Sequence, residues 1–133
     1  MGWGEGMARI LVVDDEPEVR ALFCEVLRNA GHIVAEAHDG GRALEMVSSA
    51  KPDLVVLDIF MPGRDGVEVL IALRQSNPEV RIVTCSGGGQ ARIFDFLEMT
   101  RKLGADLALL KPILPDEFLR HIEDCLASPP DRS

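Results

Sequence analysis

The apolar positions of the chain follow two alternating periods. Short runs rich in Val, Ile and Leu predict β-strands, and between them apolar residues recur every three or four positions, which is typical of amphipathic helices. The run at 54–57 (LVVL) is apolar on both faces, as a central parallel strand is. The predicted strands are 8–13, 32–37, 54–57, 80–85 and 105–110, and the predicted helices are 17–30, 41–50, 66–75, 90–103 and a last helix from Pro115.

Residues that start and stop helices support these boundaries. Pro17 suits a first helical turn, and Gly31 and Gly104 suit the position just past a helix end. Asp39 is placed to cap the second helix. Five strands that alternate with five helices predict an α/β domain, with a parallel sheet covered by helices on both faces.

Polar residues follow four of the predicted strands directly. Asp14 and Asp15 follow the first strand, Asp58 the third, Ser86 the fourth and Lys111 the fifth. Any one of them alone is commonly a cap or a turn residue. In a parallel sheet, however, these positions meet at the carboxyl edge, where ligands bind. We therefore expect one site at this edge.

This set of residues suits phosphoryl transfer. Clustered carboxylates repel one another, and a hard divalent cation such as Mg²⁺ relieves that repulsion. A carboxylate can attack phosphorus, and Asp58, at the end of the most apolar strand, is the preferred nucleophile. Lys111, the Ser86 hydroxyl and the Gly87 N–H would bind the phosphoryl oxygens. If the first and third strands are neighbours, Asp15 and Asp58 share the ion, with Asp14 acting through water or through its charge.

Composition narrows the class of protein. The 133 residues (14.5 kDa) suit one domain, which we predict at 8–127, between a flexible leader at 1–7 and a flexible tail at 128–133. A net charge of -8 disfavours binding to nucleic acid. No apolar run approaches the ~20 residues of a membrane span. The three cysteines form no paired motif, which favours free thiols in a cytoplasmic protein.

Taken together, the motifs resemble the receiver domain of two-component response regulators. The acid pair Asp14-Asp15, the segment from Asp58 through Met61-Pro62 to Gly66, the pair Ser86-Gly87 and the pair Lys111-Pro112 occur in the order of the family signature. The resemblance covers about residues 8–127. It implies a flavodoxin-like, doubly wound sheet of five parallel strands in the order 2-1-3-4-5.

The resemblance also implies a phosphorylation switch. Asp58 would accept a phosphoryl group from a sensor histidine kinase or a phosphotransfer protein, and water would later hydrolyse the aspartyl phosphate. Mg²⁺ would be held by Asp15, Asp58 and the backbone carbonyl of Phe60, with Asp14 nearby. The phosphoryl group would be bound by Ser86, Gly87, Lys111 and Ile59.

The implied output is protein contact rather than catalysis. The face formed by the fourth helix, the fifth strand and the fifth helix would engage an output partner, a fused effector domain or, on phosphorylation, a second copy of the chain. The protein would then not be an enzyme, beyond promoting its own phosphorylation and dephosphorylation. Contact with a membrane or nucleic acid is not expected of this domain.

Two positions depart from the family pattern. Ala108 stands three residues before Lys111, where the family usually has an aromatic residue, so the family's rearrangement of hydroxyl and aromatic groups is in doubt here. The stretch after Ser86 is longer than usual and starts with three glycines, whose backbone freedom allows movement. We hypothesise that this loop carries the switch, so that Ala at Gly88 and Gly89 would blunt the response; the alternative is a merely variable loop.

Three other functions compete with this interpretation. A phosphatase with an aspartyl nucleophile needs an acid two residues after Asp58, where Phe60 stands. A nucleotide-binding domain is suggested by the glycines after Ser86, but neither a Rossmann fingerprint nor a P-loop is present. A receiver-like scaffold that binds a partner without phosphorylation stays the main alternative, although it would not need the acids, Ser86 and Lys111 together.

Overall fold

The computed structural model describes residues 7–60, 66–87 and 93–128, with the side chains of 93–96 left aside. The strands are β1 (Arg9–Val13), β2 (Ile33–Ala37), β3 (Leu54–Asp58), β4 (Arg81–Gly87) and β5 (Leu107–Lys111). The helices are α1 (Pro17–Asn29), α2 (Gly40–Ala50), α3 (Gly66–Ser76), α4 (Ile93–Lys102) and α5 (Pro115–Ala127).

The strands form one parallel sheet in the order β2-β1-β3-β4-β5. The expected fold and strand order are therefore confirmed. Val13 of β1 is paired with Leu57 of β3, so Asp14 and Asp58 follow side by side at the carboxyl edge. This adjacency is what the site prediction required of the first and third strands.

Both faces of the sheet are buried. One core cluster packs Leu11 and Leu57 against α2 and α3, and the other packs Ile10 and Val56 against α1 and α5. In the second cluster, Phe23 and Phe118 stack with ring centroids 4.1 Å apart. Two covered faces explain why β3 is apolar at successive positions, since each residue faces one core or the other.

The helix boundaries follow the predicted signals. Pro17 is in the first turn of α1, and Asp39 accepts a hydrogen bond from the Arg42 N–H at 2.8 Å as the N-cap of α2. Gly31 and Gly104 have φ of 98° and 115°, in the left-handed region that favours glycine. These short-range signals therefore act as the sequence indicates.

Some predicted boundaries and burials were wrong. The fourth strand does not end at 85, because Ser86 and Gly87 continue β4 by pairing with Leu110 and Lys111 of β5. The fifth strand starts at Leu107 rather than 105. The Ala105 N–H donates to the Thr100 carbonyl instead and so belongs to the turn that ends α4. Leu22, at helical spacing with the core residues of α1, is 42% exposed.

Several predictions fall partly outside the described residues. These are the leader, the tail, the Met61-Pro62 segment and the proposed switch at Gly88 and Gly89, so the predicted domain limits stay a prediction. None of the described helices has the length and apolar character that crossing a membrane requires. All three cysteines are described, and none forms a disulfide.

Candidate functional site

One ammonium group lies among three carboxylates at the carboxyl edge of the sheet. The Nζ of Lys111, at the end of β5, is 2.8 Å from Asp14 Oδ2, 3.5 Å from Glu16 Oε1 and 3.6 Å from Asp58 Oδ2. Asp14 and Asp58 are almost fully buried, whereas Glu16 is exposed. The structure thus brings the predicted residues Asp14, Asp58 and Lys111 together.

The three carboxylates can also hold a metal ion. Asp14, Glu16 and Asp58 each offer an oxygen within 4.8 Å of the others, and carboxylate oxygens suit a hard divalent cation. Two of the three were expected. Asp15 is half-buried and is not in this group among the described residues.

Glu16 was missing from the predicted ligand set. Its N–H donates to Asp14 Oδ1 at 3.0 Å, and this turn at the start of α1 brings its side chain back over the site. The available signal was its position directly after the acid pair and directly before Pro17, where the chain turns from strand to helix.

The electrostatics of Asp58 reflect its burial. The pKa of Asp58 is raised from 3.8 to about 7, mainly because burial removes the carboxylate from water and also because of the charges of Asp14 and Asp15. The Lys111 ammonium and a hydrogen bond from the Phe60 N–H act in the opposite direction. Asp58 is therefore a carboxylate whose ionised form depends on nearby positive charge.

Lys111 is held in its charged form. Burial by itself lowers the pKa of its ammonium, but the hydrogen bond to Asp14 and the charges of Asp58 and Asp14 outweigh burial and raise it. The positive charge that Asp58 needs is therefore retained beside it.

The two backbone N–H groups that follow Asp58 have different acceptors. The Ile59 N–H, predicted to face a phosphoryl group, donates instead to the Cys85 carbonyl at 3.0 Å and so extends the pairing of β3 with β4. The next N–H, that of Phe60, donates to Asp58 Oδ1 at 3.1 Å. The N–H that faces this edge thus belongs to Phe60, a residue that is 37% exposed.

Ser86 is a buried hydroxyl with unused hydrogen-bonding capacity. It is 0% exposed, and its Oγ has no hydrogen-bond partner among the described residues. It is one residue beyond Cys85, which pairs with Asp58, so it belongs to the same edge of the sheet. Gly87 follows it, half-buried, and a Cβ there would meet nothing within 4 Å.

Gly66, at the start of α3, lies very close to the backbone of Asp58 and Ile59. A Cβ on Gly66 would be 2.5 Å from the Ile59 carbonyl oxygen and 2.7 Å from the Asp58 carbonyl oxygen. Only glycine allows α3 to approach the end of β3 this closely. This approach accounts for the late glycine of the sequence motif.

The chain matches one family over most of its length. A family model described as the response regulator receiver domain matches residues 10–123. The chemotaxis protein CheY of Bacillus subtilis is 36% identical over 120 residues, covering 89% of this chain and 97% of that protein. The sporulation initiation phosphotransferase F of the same organism is 34% identical over 110 residues, covering 83% of this chain and 86% of that protein.

A solved structure is similar to this chain over most of its length. A crystal structure of NtrX from Brucella abortus is similar with a TM-score of 0.84 and 34% sequence identity. The similarity covers 90% of this chain but 27% of that one, so this chain spans only part of the length of NtrX. With the fold, the acidic edge and the family match in agreement, the chain belongs to the family of response regulator receiver domains.

Proposed function

We propose that this chain is a phosphorylation switch in which Asp58 accepts a phosphoryl group from the phosphohistidine of a histidine kinase or phosphotransfer protein. The observation that carries the proposal is the buried Asp58 carboxylate, 3.6 Å from the Lys111 ammonium. The Ser86 hydroxyl on the neighbouring strand, which has no hydrogen-bond partner within the described part of the chain, supports it. A scaffold that works without phosphorylation has no use for these three groups together.

In the proposed reaction an Asp58 oxygen attacks phosphorus, and the bond from phosphorus to the imidazole nitrogen breaks. The electron pair leaves with the imidazole, which takes up a proton. Lys111 lowers the pKa of Asp58 and so favours the ionised nucleophile, and its ammonium can then pair with the new phosphoryl oxygens. Ser86 Oγ and the N–H groups of Gly87 and Phe60 are the further donors.

Reversal of the switch is hydrolysis. Water attacks phosphorus, the bond between phosphorus and the Asp58 oxygen breaks, and the carboxylate and inorganic phosphate are released. We infer that the chain promotes these two steps on itself alone and is not an enzyme for any other substrate.

The acidic group fits a bound Mg²⁺. Asp14 and Asp58 are the proposed ligands, Glu16 is a third carboxylate within reach, and Asp15 and the Phe60 carbonyl stay predicted ligands. When bound, Mg²⁺ would neutralise charge on the phosphoryl oxygens, which is much of what phosphoryl transfer requires of a protein.

The proposed output surface is formed by α4, β5 and α5. Leu110 on β5 and Leu114, the residue before α5, are 40% and 66% exposed and offer apolar area to a partner. The length of NtrX suggests a fused effector as one kind of partner, and a second copy of the chain is another. A cytoplasmic location stays a prediction.

Intact mass after incubation with acetyl phosphate and Mg²⁺ tests the proposal. We expect one added phosphoryl group on the wild-type chain, none on Asp58→Asn and none when Mg²⁺ is removed by chelation. Glu25→Gln, which removes an exposed carboxylate from α1, is the matched control and should be phosphorylated like the wild type. A folded wild-type chain that gains no mass, from acetyl phosphate or from a histidine kinase, would favour the non-phosphorylated scaffold.

A further inference from the structure

A buried pair of hydroxyl groups joins β4 to α4 below the site. Thr84 Oγ1 and Thr100 Oγ1 are 3.1 Å apart, and both residues are 0% exposed. Within the described residues this is the only side-chain hydrogen bond between the two elements. Buried hydroxyls carry a desolvation cost unless they are paired, so the pair holds β4 and α4 in one relative position.

The direction of this hydrogen bond follows from its protons. Each hydroxyl has one proton to donate, and Thr100 Oγ1 donates to the Leu97 carbonyl at 3.0 Å. Thr84 must therefore donate to Thr100. The result is a directed chain of hydrogen bonds from a β4 side chain, through Thr100, to the backbone of α4.

Thr84, where this series of hydrogen bonds begins, lies close to Asp58, since it pairs with Leu57 on the neighbouring strand. Residues two apart on a strand point to the same face, so Thr84 and Ser86 share one face of β4. Ser86 is the buried hydroxyl without a partner among the described residues, and a phosphoryl group on Asp58 would offer it one. Engagement of Ser86 would pull on the same strand that carries Thr84.

The backbone of Thr100 is also hydrogen-bonded to the segment just before β5. The Thr100 carbonyl accepts a hydrogen bond from the Ala105 N–H at 3.0 Å, in the turn that ends α4 at Gly104. On β5 itself, the residue paired with Thr84 is Ala108, which has neither a polar side-chain atom nor bulk to move. Ala108 therefore offers no polar or bulky side chain that could respond to Thr84, whereas α4 offers Thr100.

We propose that the Thr84–Thr100 hydrogen bond is the connection by which phosphorylation at the carboxyl edge shifts α4 and the start of β5. The inference rests on the proposed function, because it needs a phosphorylated Asp58. It assigns to two buried threonines a positioning role that their sequence positions alone do not indicate.

The experiment separates phosphorylation from its consequence. Wild type and variants are treated with acetyl phosphate and Mg²⁺, the added phosphoryl group is measured by intact mass, and hydrogen exchange of the α4 amides is measured with and without the phosphodonor. The main variant is Thr84→Val, which keeps the branched shape and leaves the bond from Thr100 to Leu97 intact. Thr100→Val is a second variant on the other side of the pair.

Two controls accompany these variants. Thr84→Ser keeps the hydroxyl and should keep the coupling. Val83→Ala perturbs the opposite face of β4, in the core with α1 and α5, and should destabilise the chain without uncoupling α4. Together they distinguish the hydroxyl pair from a general weakening of β4.

We expect Thr84→Val and Thr100→Val to gain one phosphoryl group like the wild type but to lose the phosphorylation-dependent change in α4 exchange. The inference is overturned if Thr84→Val is phosphorylated and shows an α4 response of wild-type size. A wild-type chain that gains no phosphoryl group overturns the proposed function itself, and the mass measurement identifies that case separately.

Discussion

At the scale of single residues, ionisable side chains of the site are buried away from water. Asp14 and Asp58 are buried at the carboxyl edge, and Lys111 is the cation that contacts both. Burial of a carboxylate costs free energy unless a cation or hydrogen bonds compensate for it. The pKa of about 7 at Asp58 shows that Lys111 offsets only part of this cost.

Replacement of Asp58 should stabilise the fold in a pH-dependent way. Because folding raises the pKa of Asp58 from 3.8 to about 7, the folded chain holds a proton that the unfolded chain has lost between these values. The free energy of unfolding of the wild type therefore falls as pH rises through this range. In Mg²⁺-free buffer at pH 8, the free energy of unfolding of Asp58→Asn should exceed that of the wild type by about 2–4 kcal/mol.

Urea unfolding from pH 4 to pH 8 measures this effect. The stability gained by Asp58→Asn should shrink as pH falls towards the ordinary pKa of an aspartate, because Asp58 is then increasingly protonated in the unfolded wild type as well as in the folded one. Glu25→Gln, at an exposed position, should show no comparable pH dependence. A gain that stays constant with pH would rule out the burial of charge as its cause.

At the scale of elements, one arginine ties three segments together. The Arg74 guanidinium, from α3, donates to the Gly104 carbonyl at 2.8 Å and 3.0 Å and to Asp106 Oδ2 at 3.1 Å, just before β5. It also donates to the Val80 carbonyl at 2.8 Å, just before β4. The planar fork of arginine suits several acceptors in fixed directions, which a lysine cannot serve.

Arg74→Lys should therefore be costly although it conserves charge. Hydrogen bonds from a charged group contribute roughly 1.5–3 kcal/mol each, and several are lost, so we expect a loss of about 2–4 kcal/mol in the free energy of unfolding. The midpoint of urea unfolding should fall with an unchanged slope. Arg101→Lys, on the exposed side of α4, is the control and should have little effect.

The close approach of α3 to the end of β3 predicts that a side chain at Gly66 destabilises the fold. A Cβ on Gly66 would meet backbone atoms of Asp58 and Ile59, which cannot move aside as a flexible side chain can. Gly66→Ala should lower the free energy of unfolding by about 1–3 kcal/mol and slow the gain of mass from acetyl phosphate. A Cβ on Gly41 of α2 would be an ordinary 3.6 Å from Asp39 Oδ1, so Gly41→Ala should be tolerated. Equal effects of the two substitutions would contradict this account.

At the scale of the whole molecule, negative charge is concentrated where a cation can bind. The chain carries a net charge of -8, and three of its carboxylates converge on the carboxyl edge. A cation that binds only the folded chain stabilises it in proportion to the logarithm of its concentration. Metal binding can therefore be followed through the stability of the complete domain.

Mg²⁺ should raise the melting temperature of the wild type. At about ten times its dissociation constant it would add roughly 1.4 kcal/mol, which corresponds to a few degrees. Asp14→Asn and Asp58→Asn should reduce the shift, and NaCl at the same ionic strength should not reproduce it. A shift that is equal in all three proteins would mean that Mg²⁺ acts on the overall charge and not at the acidic edge.

Much of the fold could be predicted because its signals are local. The periods of apolar residues identify strands and helices, and Pro17, Gly31, Asp39 and Gly104 mark helix ends through conformations that only nearby residues affect. Boundaries were less predictable where pairing between strands decides them. Ser86 and Gly87 resemble a loop in sequence but extend β4, because β5 provides hydrogen-bonding partners for them.

The sequence by itself determined that the residues at the ends of the strands share the carboxyl edge. Asp14, Asp58, Ser86 and Lys111 each follow or end a strand, and in a parallel sheet those positions share one edge whatever the details of packing. Only the tertiary structure decided which atoms touch: Glu16 reaches Lys111, the Phe60 N–H replaces that of Ile59, and Thr84 meets Thr100. These contacts depend on side-chain directions and on distances between elements far apart in sequence, which no local pattern encodes.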